Sequence, residues 1–354
     1  MTLILSNDDV AKLVTVPEVI AALEEAYVEL AEERGVSRPR SDCLTPTARP
    51  DAIYGLKSMD GVVPKFGVGA VRINSDIVTW PTVGNNMRRE KIPAAPGNRW
   101  VGLVLLFSTH TGEPLAIFPD GVLQRMRVGS TNGLGIKYLA RKNAETVGIL
   151  GSGWQAGTQL MAACAVRDIK RIRCFSPSKD NREKFSREMS DILGVEVEPV
   201  SQPEDAIRGA DIAMCATNSI DPIFFERWVE PGMHLSELKR PEFEIAAIKR
   251  ADRLVIHTRS AAPLHIATKN LPMLEKAKKS GVKELDFDTL PTLPQLITGR
   301  TPGRDSDEQV TCFLNNLGLG YQFAAAGSVV YRKAKEAGAG HDLPTDWFTE
   351  DVHP

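Results

Sequence analysis

No hydrophobic run in the sequence approaches membrane length: the longest, about Trp100 to Phe107, is far short of the roughly 20 apolar residues that span a bilayer. The N-terminus, MTLILSNDDV, has no basic segment and soon meets Asp8 and Asp9, so no secretory leader is expected there. Excess charge of either sign is missing as well. Lys and Arg number 43 against 45 Asp and Glu, a formal net charge of -2 with a pI near 6.3, which gives no electrostatic case for nucleic acid or an anionic membrane. Cysteine is scarce. Cys43, Cys164, Cys174, Cys215 and Cys312 are odd in number and hold no CxxC pair, which favours reduced, mostly buried thiols over a disulfide framework or a zinc site. The six histidines (His110, His234, His257, His265, His341, His353) show no metal-ligand spacing, and His234 reads as a buried, hydrogen-bonded strand residue. No metal is expected, and no Ser/His/Asp or Cys/His arrangement can be argued from spacing. What is present, 42% hydrophobic and 25% charged residues over 354 positions, suits a cytoplasmic enzyme of two domains at about 100–200 residues each.

The chain changes texture near Val128. Before it, Pro17 and the helical spacing of Val19, Ile20, Leu23, Tyr27 and Leu30 predict a helix stopped by Gly35. From Cys43 to Phe118 short strand-like runs (Ile53–Met59, Phe66–Ile73, Trp100–Phe107, Leu115–Phe118) alternate with Gly, Pro, Asn and Asp, predicting a mainly antiparallel sheet. Between Asp76 and Asn98 a polar, Pro-rich insertion with Arg88, Arg89 and Lys91 reads as a long surface loop. After Val128 come a helix over Gly133–Arg141 and strand candidates Thr146–Leu150, Arg171–Phe175, Val195–Val200, Ile212–Ala216, His234–Leu238 and Leu254–His257. The helices between them are expected over Gln155–Val166, Asn181–Leu193, Pro203–Arg208 and Glu242–Ala251. Alternating elements with short connections predict a parallel, doubly wound sheet of Rossmann type, so the fold class is α/β with a second, mainly antiparallel α+β domain. A last helical pattern, rich in Gly and Ala, runs from Leu314 to Glu336.

One stretch carries chemistry by itself. Thr146–Leu150 passes into Gly151-Ser152-Gly153-Trp154-Gln155-Ala156, then a helix, then a second apolar run ending at Phe175-Ser176. In a dinucleotide turn the first Gly makes the bend and the second lets backbone N–H groups approach the pyrophosphate. A third small residue packs helix on strand, and the helix N-terminus favours the phosphate charge. Gly151, Gly153 and Ala156 fill those places. The end of the second strand reports which dinucleotide binds, because an acid there suits the ribose 2′-OH of NAD and repels the extra phosphate of NADP. Here Ser176, Ser178, Lys179 and Arg182 stand without an initial carboxylate, favouring NADP(H) over NAD(H), while Asp180 falls where a helix N-cap is expected. Thr217 and Asn218 follow the Ile212–Ala216 run, where the end of the next parallel strand should meet cofactor.

These motifs converge on a family. Leu123-Gln124-Arg125-Met126-Arg127, the helix end Lys137-Tyr138-Leu139-Ala140-Arg141 and the run from Gly148 to Ala156 resemble the ornithine cyclodeaminase / mu-crystallin family. So do Phe107 to Leu115, Gly232-Met233-His234-Leu235, Arg240-Pro241 and Asn316-Leu317-Gly318-Leu319-Gly320. The resemblance implies a homodimer in which residues 1–127 and 310–354 form a substrate-binding and dimerisation domain around an inserted Rossmann domain, 128–309. It implies hydride transfer between a nicotinamide and a carbon bearing nitrogen next to a carboxylate. That carboxylate would be gripped by Arg40, Arg72 and Arg127; guanidinium forks suit it. Two departures matter. Arg72 stands where the family usually has Lys, which removes a titratable ammonium. The stretch Ser236 to Glu242 lacks the Asp that handles substrate amine in cyclodeaminase members, Glu237 and Glu242 reading more simply as strand-end and helix-start residues. The expectation is an imine reductase or amino-acid dehydrogenase acting on a small imino or amino acid. The alternatives are an ornithine or lysine cyclodeaminase and a non-catalytic, mu-crystallin-like NADP-binding protein.

Overall fold

The computed structural model describes residues 1–83, 86–87, 89–219, 221–238, 241–259, 264–269, 271 and 285–352, with backbone only at 82–83 and 86–87. Arg88, Arg240 and His353, named above, lie outside the described residues. The chain divides into two compact units, one of Met1–Arg127, Ser260–Lys279 and Gly318–Pro354, the other of Val128–Arg259 and Ser280–Leu317.

The chain opens with β1 (Thr2–Ile4), α1 (Asn7–Leu13) and α2 (Val16–Ala31). The start of α2 is fixed by Thr15, whose N–H and hydroxyl donate to Glu18 over 3.0 and 2.7 Å, a capping box with Pro17 in the first turn. Val19, Ile20, Leu23 and Tyr27 form its buried face. The helix ends at Ala31, short of the expected Gly35; the missing side chain there makes room for the Tyr321 ring.

Strands β2 (Val36–Ser37), β3 (Ser41–Pro46), β4 (Ala52–Val63) and β5 (Val68–Thr79) follow, then the small hairpin of β6 (Thr82–Val83) and β7 (Asn86–Met87), then β8 (Glu90–Ile92), β9 (Val101–Ser108) and β10 (Pro114–Pro119). The span 76–98 is therefore not the surface loop its polarity suggests. β5 continues through Asp76, and β8 pairs back onto it with Lys91 opposite Val78. Polar residues occur inside these strands because they satisfy one another: Lys57 and Lys91 each reach Asp76 over 2.8 Å.

Helix α3 (Gly121–Leu139) begins twelve residues before the expected Gly133 and carries Arg125 and Arg127. Next come β11 (Thr146–Leu150), α4 (Trp154–Val166), β12 (Arg171–Phe175), α5 (Lys179–Leu193), β13 (Val197–Pro199), α6 (Pro203–Ile207), β14 (Ile212–Cys215), β15 (His234–Glu237), α7 (Ile245–Lys249) and β16 (Arg253–Ile256). The N-cap of α5 is Ser178, whose hydroxyl accepts the Asn181 N–H at 3.3 Å; Asp180, expected as the cap, lies inside the first turn. Glu242 precedes α7 instead of starting it. The chain closes with β17 (Leu264–Ala267), α8 (Leu293–Ile297), β18 (Thr311–Leu314), α9 (Gly320–Ala337) and β19 (His341–Leu343). The helix expected from Leu314 thus begins at Gly320; Leu314 closes β18, and residues 315–319 connect the two.

In the first unit, ten strands make one sheet in the order β17-β3-β4-β5-β9-β10-β1-β19, with β2 on β4 and β8 on β5. It is antiparallel except where β17 joins β3 and β1 joins β10. Helix α9 packs on β4, β5 and α2. Its entry is close enough that a Cβ at Gly320 would collide with the Asp60 backbone, and the Tyr321 hydroxyl donates to the Ala26 carbonyl at 2.7 Å. In the second unit seven parallel strands run β13-β12-β11-β14-β15-β18-β16. All four residues of β14, β15 and β18 are buried, as strands covered on both faces must be.

Candidate functional site

In the second unit, β11 lies between β12 and β14, the point where the strand order reverses and dinucleotides bind in such sheets. Gly151 ends β11 at φ +119°, a conformation L side chains rarely adopt, and a Cβ there would strike the Ala216 carbonyl and stand 3.2 Å from Thr217 Cγ2. Gly153 is the N-cap of α4; no side chain caps that helix, and nothing lies within 4 Å of where its Cβ would be. An uncapped helix N-terminus that follows a glycine turn is the arrangement a pyrophosphate-binding turn uses. Ala156 is fully buried beneath, packing helix on sheet, while Ser152 and Gln155 are half-buried and Trp154 is exposed.

At the end of β12, Ser176 is buried and its carbonyl accepts from Arg182 Nη1 at 3.0 Å. Arg182 is thereby held beside the strand end, whereas Lys179 is exposed and only 3.8 Å from Glu183, a solvated helix pair. No carboxylate stands at 176–178. Beyond β14, Thr217 is half-buried and Asn218 exposed. Residues 217–219 are organised by Glu242, fully buried, whose Oε1 accepts the Thr217 N–H at 2.6 Å and the Thr217 hydroxyl at 2.7 Å. Reading the sequence missed that role. Glu242 lies 25 residues downstream, with no local signal of the contact. His234 is fully buried with Nδ1 2.9 Å from Thr311 Oγ1, as expected of a structural residue.

In the first unit the three arginines named from the resemblance gather over one face of the large sheet. Arg72 on β5 and Arg127 on α3 both lie against the Phe323 ring, their guanidinium carbons 5.5 and 5.0 Å from its centroid. Arg127 Nη1 donates to Gln322 Oε1 at 2.8 Å, and that oxygen also accepts the Leu319 N–H. Burial, reinforced by the fields of Arg72 and Arg40, pushes the Arg127 guanidinium down to about 9. Arg72 donates through Nε to Asp120 at 2.6 Å, and Asn74 reaches the same oxygen at 3.2 Å. Arg40 grips Asp42 through two nitrogens at 2.8 and 2.9 Å. Asp42, Asp120, Gln322 and Phe323 are thus the partners that position the cations. Arg125 is not among this set: two residues apart on a helix means about 200° of rotation, so it leaves α3 on the side away from Arg127.

Lys57 extends the same face. Register places His265, Asp42, Lys57, Asn74 and Gly102 opposite one another across five strands. Burial lowers the Lys57 ammonium below its usual range although Asp76 is bonded to it. Burial would raise the Asp76 carboxyl, but bonds from Lys57 and Lys91 hold it below the carboxylate range. Lys57 and Asp76 are thus each buried against an opposite charge, the condition on which such burial is tolerated.

Residues 85–338 match the model of the Ornithine cyclodeaminase/mu-crystallin family. The chain is 29% identical over 346 residues to the Delta(1)-pyrroline-2-carboxylate reductase of Bacillus cereus, covering 96% of this chain and 99% of that one. It is 28% identical over 351 residues to the alanine dehydrogenase of Archaeoglobus fulgidus, covering 97% and 98%. The structure of Thermococcus litoralis Delta(1)-pyrroline-2-carboxylate reductase in complex with NADH and L-proline aligns with a TM-score of 0.78 at 25% identity, over 97% of this chain and 100% of that one. Fold, turn and relatives define the class: an NAD(P)-dependent oxidoreductase acting on C–N bonds. The chain belongs to the ornithine cyclodeaminase/mu-crystallin family.

Proposed function

We propose that this protein is a cytoplasmic homodimer that reduces a small imino acid to an amino acid, or runs the reverse dehydrogenation, with NADP(H) favoured over NAD(H). The observation that carries the reading is the arginine cluster, with Arg72 and Arg127 buried and Arg40 half-buried in the first unit, in a chain whose second unit holds a dinucleotide turn. Gly151, Ser152, Gly153, Trp154, Gln155 and Ala156 would hold the pyrophosphate. Ser176, Ser178, Lys179 and Arg182 would surround the 2′ position, with Thr217 and Asn218 beyond β14. When bound, the dinucleotide gives or accepts a hydride at the carbon bearing nitrogen. Arg127 takes the substrate carboxylate, relieving its own desolvation. Arg72 and Arg40, fixed by Asp120 and Asp42, add to the field that holds the anion. Glu237 and Glu242 are both engaged with backbone N–H groups, which counts against either as the amine-handling acid of a cyclodeaminase.

The dimer reading has its own support. On the sheet face opposite the arginines, register lines up Ile266, Cys43, Leu56, Ser75 and Val101, and beside them Leu264, Ile73 and Leu103. Leu264, Ile266, Leu56, Val101 and Leu103 are 58, 55, 43, 45 and 39% exposed. An antiparallel sheet facing water would be polar there; five exposed large apolar side chains, interrupted only by Ser41, Ser58 and Ser75, call for a partner. Among the described residues no helix is long and apolar enough to cross a membrane.

The test is NADPH consumption with cyclic imino acids, Delta(1)-pyrroline-2-carboxylate among them, and with keto acids plus ammonia or methylamine. Turnover is expected, with Arg127→Ala lowering kcat/KM by about a hundredfold. Bound cofactor without turnover on any of these would overturn the reading, as would ammonia release from ornithine or lysine with no net NADPH oxidation.

A further inference from the structure

Two buried glutamates of the second unit tie its strand ends together. Glu237, the last residue of β15, accepts the N–H groups of Glu242 and Phe243 at 3.1 and 3.0 Å. Glu242, so placed, accepts from several donors, among them the Thr217 N–H and hydroxyl on Oε1 and the Leu238 N–H on Oε2 at 3.1 Å. Neither side chain is exposed at all. Donors converging on a buried carboxylate favour its charged form. Both carboxylates contribute, after burial, to raising the neighbouring Cys215 thiol. The Thr217 hydroxyl oxygen in turn accepts the Ser219 N–H at 3.2 Å, so the tie runs on into the loop.

The geometry points to Glu242 as a positioning residue for the nicotinamide end of the dinucleotide, an assignment that rests on reading the second unit as the dinucleotide site. Two observations join to give it. The loop that Glu242 holds is the one that abuts the glycine turn, since a Cβ on Gly151 would meet Ala216 and Thr217. That loop also leaves the C-terminal end of β14, beside the reversal of strand order. The adenosine side lies toward β12, at Ser176 and Arg182, and takes no support from Glu242. Two acceptor oxygens, not volume, are what the position needs. The amide of Gln would turn a donor toward either the Thr217 or the Leu238 N–H and release one of them.

The test compares Glu242→Gln and Glu242→Asp with the parent protein, titrating NADPH and, separately, ADP-ribose 2′-phosphate, which lacks nicotinamide. Thermal unfolding is followed on each. Glu242→Gln is expected to weaken NADPH by about tenfold and leave ADP-ribose 2′-phosphate within about twofold. Glu242→Asp, which keeps the carboxylate, should recover part of the difference. Equal loss of both ligands in the folded variants would make Glu242 a general structural residue and overturn the assignment, as would unchanged binding of both. Should Glu242→Gln not fold, Glu242→Asp decides by the same selectivity for NADPH. If the parent binds neither ligand, the dinucleotide reading itself falls, a result separate from any outcome of the variants.

Discussion

Gly318 has no side chain, and the Arg127 guanidinium fills the space: a Cβ would stand 2.6 Å from Nη1 and 2.9 Å from Nη2. An alanine at 318 must push Arg127 off Gln322 without altering any charge. We expect Gly318→Ala to weaken binding of a planar cyclic carboxylate such as pyrrole-2-carboxylate by about tenfold, while NADPH binding stays unchanged. Calorimetric titration reads both, and full retention of carboxylate affinity would remove Arg127 from the proposed site. The same titration has a pH signature. Only the protonated guanidinium holds an anion, and burial brings Arg127 down to about 9, so affinity should be flat near neutrality and fall as pH rises through about 9.

Between strands, the bond from His234 on β15 to Thr311 on β18 leaves an acid-labile seam in the parallel sheet. Burial, then the positive charge of Arg304 and Arg167, pushes His234 from the ordinary 6.5 to about 3. Between those values the unfolded chain binds a proton that the folded one refuses. Stability is therefore whole above about pH 6.5 and drains as pH falls toward 3, by up to about 1.4 kcal/mol per pH unit from this group. Urea unfolding at pH 7 and pH 5 should show the loss, and His234→Gln should flatten the slope; an unchanged slope would put the acid sensitivity elsewhere. How far such elements can be read in the sequence depends on what hides them. The parallel strands β11, β12 and β14 are short apolar runs bounded by turns, and they stand out. The first part of helix α3 is masked by Gly121 and Gly129, which look like loop. Gly129, like Gly135 further along, serves packing instead, because side chains at 129 and 135 would collide with Thr158 and Phe313. β18 goes unread, its last residue Leu314 being joined to the helical pattern that follows, because a strand buried on both faces has no alternation to show. The arginine cluster is legible only through the resemblance. Its partners Gln322 and Phe323 sit on α9, about two hundred residues from Asp120 in the turn before α3, and nothing local announces that they meet.

For the whole molecule, the exposed apolar face of the large sheet predicts the assembly. Leu56→Arg combined with Val101→Arg should turn a dimer into a folded monomer by sedimentation velocity, leaving NADPH affinity intact. A parent that sediments as a monomer, or a double variant that stays dimeric, would sink that surface as the interface. The order of the chain has a further consequence. The first unit is discontinuous, taking helix α9 and β19 from residues after Gly318, while the parallel sheet is complete once β18 has been made. During synthesis from the N-terminus, the nucleotide-binding half can therefore close first. Arg127 waits for Gln322 and Phe323, so the unit that holds the arginine cluster is the last part of the molecule to mature.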